Sequence, residues 1–184
     1  MKKSIFCLVL CCGALYYGFF TQILSSYKDG KMKLMSTAFN NGDQLPKKYT
    51  CDGQGVNPPL NWANIPEGTK SLVLLMDDPD APATKPEPWV HWIVFNIPPT
   101  LNHLDENVNL STIKGAKQGL TNSGKSMYHG ACPPDGVHRY RFFLYALNDT
   151  LDLPEGVSRK DLEREMKKVG ILGQAHLIAT YERK

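Results

Sequence analysis

From Met35 onward, short apolar or alternating runs are separated by clusters of turn residues. "SLVLLM" (71–76) is a continuous apolar run, the pattern of a buried strand. "WVHWIVFNI" (89–97) is rich in residues that favour strands. In "HRYRFFLYAL" (138–147), Tyr140, Phe142, Leu144 and Ala146 alternate with Arg139, Arg141, Phe143 and Tyr145. A fourth strand, "AHLIATYER" (175–183), follows near the end of the sequence. One helix is expected over "SRKDLEREMKKVG" (158–170), with Ser158 as N-cap and Asp161 completing a capping box. Leu162, Met166 and Val169 share its apolar face, Glu163 and Lys167 form an i,i+4 pair, and Gly170 closes it. Many short strands with Gly- and Pro-rich loops and a late helix predict a mainly β protein. The expected architecture is an antiparallel β-sandwich with one or two short helices near the C-terminus.

The first residues follow a different pattern. "MKK" precedes an uncharged stretch from Ser4 to Ser26, long enough to span a bilayer. It reads as an export signal or an uncleaved membrane anchor, followed by a polar linker. A third reading starts the protein at Met32, where "MKLMSTAFNNGD" opens like a domain, and leaves it in the cytoplasm. The expected organisation is a hydrophobic leader and linker over 1–31 and one domain over 32–184. Three of the five cysteines, Cys7, Cys11 and Cys12, sit in the leader. Cys51 and Cys132 remain, an even count that permits one disulfide in an oxidising compartment, with two buried thiols as the alternative and the only expected state in cytosol.

The 184 residues carry a net charge of +3 without clustered Lys and Arg, so nucleic acid is not an expected partner. Three loops hold the unusual chemistry: "CDGQGVNPPLNW" (51–62), "DDPDAP" (77–82) and "GACPPDGVHRY" (130–140). Asp78 and Asp80 are either turn-forming aspartates or the wall of a polar pocket. His91, placed by alternation on the face of Trp89 and Ile93, is either a core histidine or a ligand group. Two histidines, His91 and His138, converging with the two aspartates would make a metal or an anion site. Metal-ligand spacings such as HxH, HExxH and CxxC are absent, which favours the anion. An imidazole paired with a carboxylate is more easily held protonated and then donates to phosphate oxygens. Cys132 near histidines also admits a cysteine hydrolase, but Pro133 and Pro134 leave no helix N-terminus to activate the thiol.

Together, "DPDAP", the "W-x-H-W" strand and "YHGACPPDGVHRYRFFLYAL" resemble the phosphatidylethanolamine-binding protein (PEBP) family, in its bacterial and archaeal branch. The resemblance runs from about Met32 to Lys184. It implies a sandwich with a small cavity at one end of the strands that binds phosphate or the phosphoryl head of a lipid or nucleotide. Carried across, the ligand residues are Asp78, Asp80, His91, Pro133, Pro134, His138 and Tyr140, with the Gly130 and Cys132 backbones close to the anion. Asn57 stands where many bacterial relatives have Ser, and Val90 where animal members often have a second histidine. The resemblance implies no catalytic residues, metal or cofactor, and homodimers occur among relatives.

The sequence therefore predicts a non-enzymatic protein that binds phosphoryl-bearing small ligands, exported or membrane-anchored. The competing expectations are a cysteine- or His/Asp-dependent hydrolase and an inhibitor that docks on a protein through the pocket rim.

Overall fold

A computed structural model describes residues 30–82 and 86–184. The leader and its expected anchor lie outside the described residues. Among those described, no helix is long and apolar enough to cross a membrane. Met32–Lys184 forms one compact unit.

The strands are β1 (Lys33–Met35), β2 (Leu60–Ala63), β3 (Ser71–Asp78), β4 (Trp89–Ile97), β5 (His103–Leu104), β6 (Lys117–Gln118), β7 (His138–Leu147) and β8 (Ile171–Tyr181). They form a three-stranded sheet, β1-β2-β5, and a five-stranded sheet, β6-β4-β3-β7-β8. Every pairing between these strands is antiparallel. The mainly β, two-sheet fold expected from the pattern is the fold observed.

The continuous apolar run in β3 has a direct cause: the large sheet is covered on both faces. Leu72, Leu74 and Met76 point to one core, shared with Leu34, Trp62 and Leu104 of the small sheet. Val73 and Leu75 point to the other, shared with Leu162 and Met166 of helix α1 (Arg159–Val169). All eight β3 residues are buried. Strand β7 alternates as expected, with His138, Tyr140, Phe142, Leu144 and Ala146 buried on the small-sheet side.

The ends of α1 match the prediction with two differences. Ser158 Oγ accepts from the Asp161 backbone N–H at 3.1 Å, and Gly170 takes φ +91° after the last turn. The Asp161 carboxylate accepts from the Ser158 hydroxyl at 2.8 Å, so the reciprocal contact is side chain to side chain. Glu163 pairs with Arg159 at 2.7 Å instead of Lys167. Arg159 is in turn fixed by Asp77, which orients its guanidinium towards the sheet.

Candidate functional site

The three neighbouring aspartates have three different fates, set by strand alternation. Asp77 points to the helix side, is fully buried, and receives Arg141 at 2.8 and 2.9 Å and Arg159 at 2.8 Å. Asp78 points to the opposite face, where its Oδ2 accepts from Nδ1 of His138 at 2.7 Å. Its Oδ1 accepts from the Asp80 and Ala81 backbone amides at 2.8 and 3.2 Å. Asp78 is thus both the turn former and the histidine partner, two readings the sequence left open. Asp80 lies past the turn and is clamped by Arg139 through its side chain and its backbone N–H. That clamp holds the Asp80 carboxyl down at about 2.

His91 reaches the same end of the sandwich through a bulge. Asp77 pairs with Val90 and Met76 with Trp92, so His91 has no residue opposite it on β3. The extra residue shifts the alternation. Ile93 turns to the helix-side core, while His91 meets Tyr140 edge-on, ring centroids 5.1 Å apart. The expected shared face of His91 and Ile93 is therefore corrected, and the bulge is the cause.

These elements enclose a cavity of about 150 Å³. Its wall includes Asp78, His91, His138, Tyr140, Cys132 and Pro134 among the expected residues. Trp89, His129, Ala81 and Pro82 complete it. Asp80 and Pro133 are not in the wall. Asp80 braces the start of β7 from outside. Gly130 is also outside, and it packs where a Cβ would come within 3.0 Å of the Thr50 carbonyl carbon. Glycine there lets the 130–132 segment lie against residues 50–51, where the Cys51 N–H donates to the Ala131 carbonyl at 3.0 Å. The two sulfurs meet at that point, and the structure bonds Cys51 to Cys132, Cα atoms 5.4 Å apart. Asn57 is committed elsewhere, bonding Pro58, Asp105 and Val108.

Two polar atoms of the wall, the Trp89 indole N–H and the Tyr140 hydroxyl, are buried and lack a hydrogen-bond partner among the described residues. The Cys132 backbone amide faces the Tyr140 oxygen without reaching bonding geometry. Burial, with help from nearby Asp78, pushes the Tyr140 hydroxyl pKa upward, so it stays a neutral donor. His91 Nδ1 sits 2.8 Å from the His129 carbonyl, so that nitrogen carries the proton and donates it. Burial lowers the His91 pKa to about 4. Of the two expected pocket histidines, His138 has the expected carboxylate partner, whereas His91 has a carbonyl partner instead. His129 is also shifted down, by burial and then by Lys125. Sequence reasoning did not single out His129 or Trp89 as ligand groups, although each stands within two residues of a motif histidine or glycine.

Larger grooves lie elsewhere, one of about 630 Å³ beside the start of α1. The unpartnered wall atoms are at the smaller cavity. No group of His, Cys, Asp and Glu arranged to hold a metal ion occurs among the described residues.

The fold and this cavity define a two-sheet β-sandwich with a small pocket at one end. Residues 35–182 match the family model of the phosphatidylethanolamine-binding protein, and the chain belongs to that family. It is 47% identical to a UPF0098 protein of Methanothermobacter thermautotrophicus over 154 residues, covering 83% of this chain and 99% of the relative. Among solved structures, a PEBP homolog from Chlamydia trachomatis is 42% identical with a TM-score of 0.78, covering 85% of this chain and all of that one. Escherichia coli YbcL, described as a member of the mammalian PEBP family, is 32% identical with a TM-score of 0.75, covering 84% and 99%.

Proposed function

We propose that the protein is a non-enzymatic binder of small phosphoryl-bearing ligands, held by the cavity between Asp78, His91, His138 and Tyr140. The observation that carries this reading is that two residues lining one cavity, Trp89 and Tyr140, each hold a buried donor without a partner among the described residues. A buried polar group without a partner costs about 1–3 kcal/mol. Two at one cavity favour a ligand rich in acceptor oxygens. The volume suits a single phosphoryl group, with the rest of the ligand outside. Disulfide bonding of Cys132 removes its sulfur as a nucleophile, which weighs against the cysteine hydrolase. The same bond fits the exported reading of residues 4–26, because such bridges persist outside the reducing cytosol.

Calorimetric titration with inorganic phosphate tests the proposal. Tyr140→Phe removes only the hydroxyl and should weaken binding by about 1.5–3 kcal/mol, the range for hydrogen bonds to charged groups. Equal affinity in wild type and variant would take the ligand out of this cavity.

A further inference from the structure

The hydrogen-bonding polarity of His91 narrows the ligand class. Its Nδ1 faces the His129 carbonyl, and a carbonyl oxygen can only accept. Nδ1 therefore holds the ring's one proton in the neutral form, and Nε2 presents a lone pair. Nδ1 is committed to the backbone, so Nε2 is the polar atom of this wall residue left for a ligand.

We infer that the cavity selects a phosphoryl group that brings its own proton, a monoester or hydrogen phosphate as the monoanion with a P–OH facing His91 Nε2. This rests on the phosphoryl reading above and sharpens it. A phosphodiester or a sulfate has oxygens for the donors at Trp89 and Tyr140 but no O–H for His91. A bare lone pair against an anionic oxygen is repulsive, and one hydrogen bond changes sign between the two ligand classes.

The groups facing His91 bear this out from each packed element. His129 stands beside it with ring centroids 5.6 Å apart, and Tyr140 meets it edge-on from β7. The Asp78 carboxylate on β3 is already engaged by His138 and two backbone amides. Asp77 lies on the far face, held by two arginines. Among the described residues no carboxylate bonds His91, and its burial opposes a charge on the ring.

Calorimetry on the unaltered protein from pH 8 to pH 6 tests this with four probes: inorganic phosphate, methyl phosphate, dimethyl phosphate and sulfate. A monoester's second pKa is about 6, so the monoanion's share grows by some tens of times over this range. Methyl phosphate should tighten accordingly, by about tenfold or more, and inorganic phosphate, whose second pKa lies about one unit higher, by roughly fivefold. Dimethyl phosphate and sulfate should bind at least about tenfold more weakly than methyl phosphate at pH 6. Sulfate stays doubly charged throughout and reports the titration of the pocket itself, His129 included. The inference is overturned if dimethyl phosphate matches methyl phosphate, or if sulfate tightens in parallel with it while taking up a proton. Either result leaves phosphoryl binding standing. Failure of all four probes to bind overturns both.

Discussion

His91 is a buried, neutral histidine, and that has a consequence for stability. Its pKa falls from 6.5 to about 4 on folding, first through burial. Between those values the unfolded chain binds a proton that the folded chain does not. Stability therefore rises with pH across this window and is lost as pH falls from 6.5 towards 4. One proton corresponds to a slope of about 1.4 kcal/mol per pH unit. Replacing His91 by Gln should flatten the dependence of unfolding free energy on pH by up to that slope, as measured by urea denaturation at pH 4.5, 5.5 and 6.5. An unchanged slope would mean that His91 is charged in the folded protein. Asp80 has the same sign with a lower window. Its salt bridge with Arg139 stabilises above the unfolded carboxyl value near 3.8 and is lost as pH approaches about 2.

At the scale of elements, the segment Cys132–Val137 is the least supported wall of the cavity. Pro133 and Pro134 have no N–H, and among the described residues no backbone hydrogen bond outside the strands anchors residues 132–137. Its attachment is the disulfide at one end and β7 at the other. The bridge closes a separation of 81 residues, a nominal gain of about 4 kcal/mol in the loop-entropy account. Changing both Cys51 and Cys132 to Ser should lower the unfolding free energy of the oxidised protein by about 2–4 kcal/mol, read from denaturant midpoints. The fold should survive, because the Cys51–Ala131 backbone bond and the Tyr128 hydroxyl on the Tyr49 carbonyl remain. An unshifted midpoint would show that the bridge does not form.

Elements were also where the sequence was most legible. Strand β7 and helix α1 follow their hydrophobic periods closely, because one period governs each whole segment. The bulge at His91 was not legible, since an extra residue in a strand depends on its partner's register. Nor were the separate fates of Asp77, Asp78 and Asp80. Their arginine and histidine partners lie some sixty to eighty positions away and are brought together only by β3–β7 pairing and by α1 packing. The candidate site was readable as a set of loops, but its division into wall and brace was not.

For the molecule as a whole, the buried hydrophobic core of the described residues lies within Met32–Tyr181. The polypeptide Met32–Lys184 should therefore fold cooperatively by itself, with a single sharp melt by circular dichroism; a broad, non-cooperative transition would count against an independent domain. The proposed phosphoryl site lies at the end of β3, β4 and β7. The protein supplies its own internal control in three tryptophans. The Trp62 and Trp92 indoles already donate, to the Leu101 carbonyl at 2.8 Å and to the Gln118 side chain at 3.0 Å. The Trp89 indole, on a residue lining the cavity, has no partner among the described residues. The most direct measurement is a ¹H–¹⁵N spectrum of the three indole groups during titration with methyl phosphate at pH 6. A phosphoryl group held in the cavity should give a saturable, one-to-one shift of the Trp89 signal while those of Trp62 and Trp92 stay in place. A silent Trp89, with the ligand either unbound or moving other signals instead, would contradict the proposal.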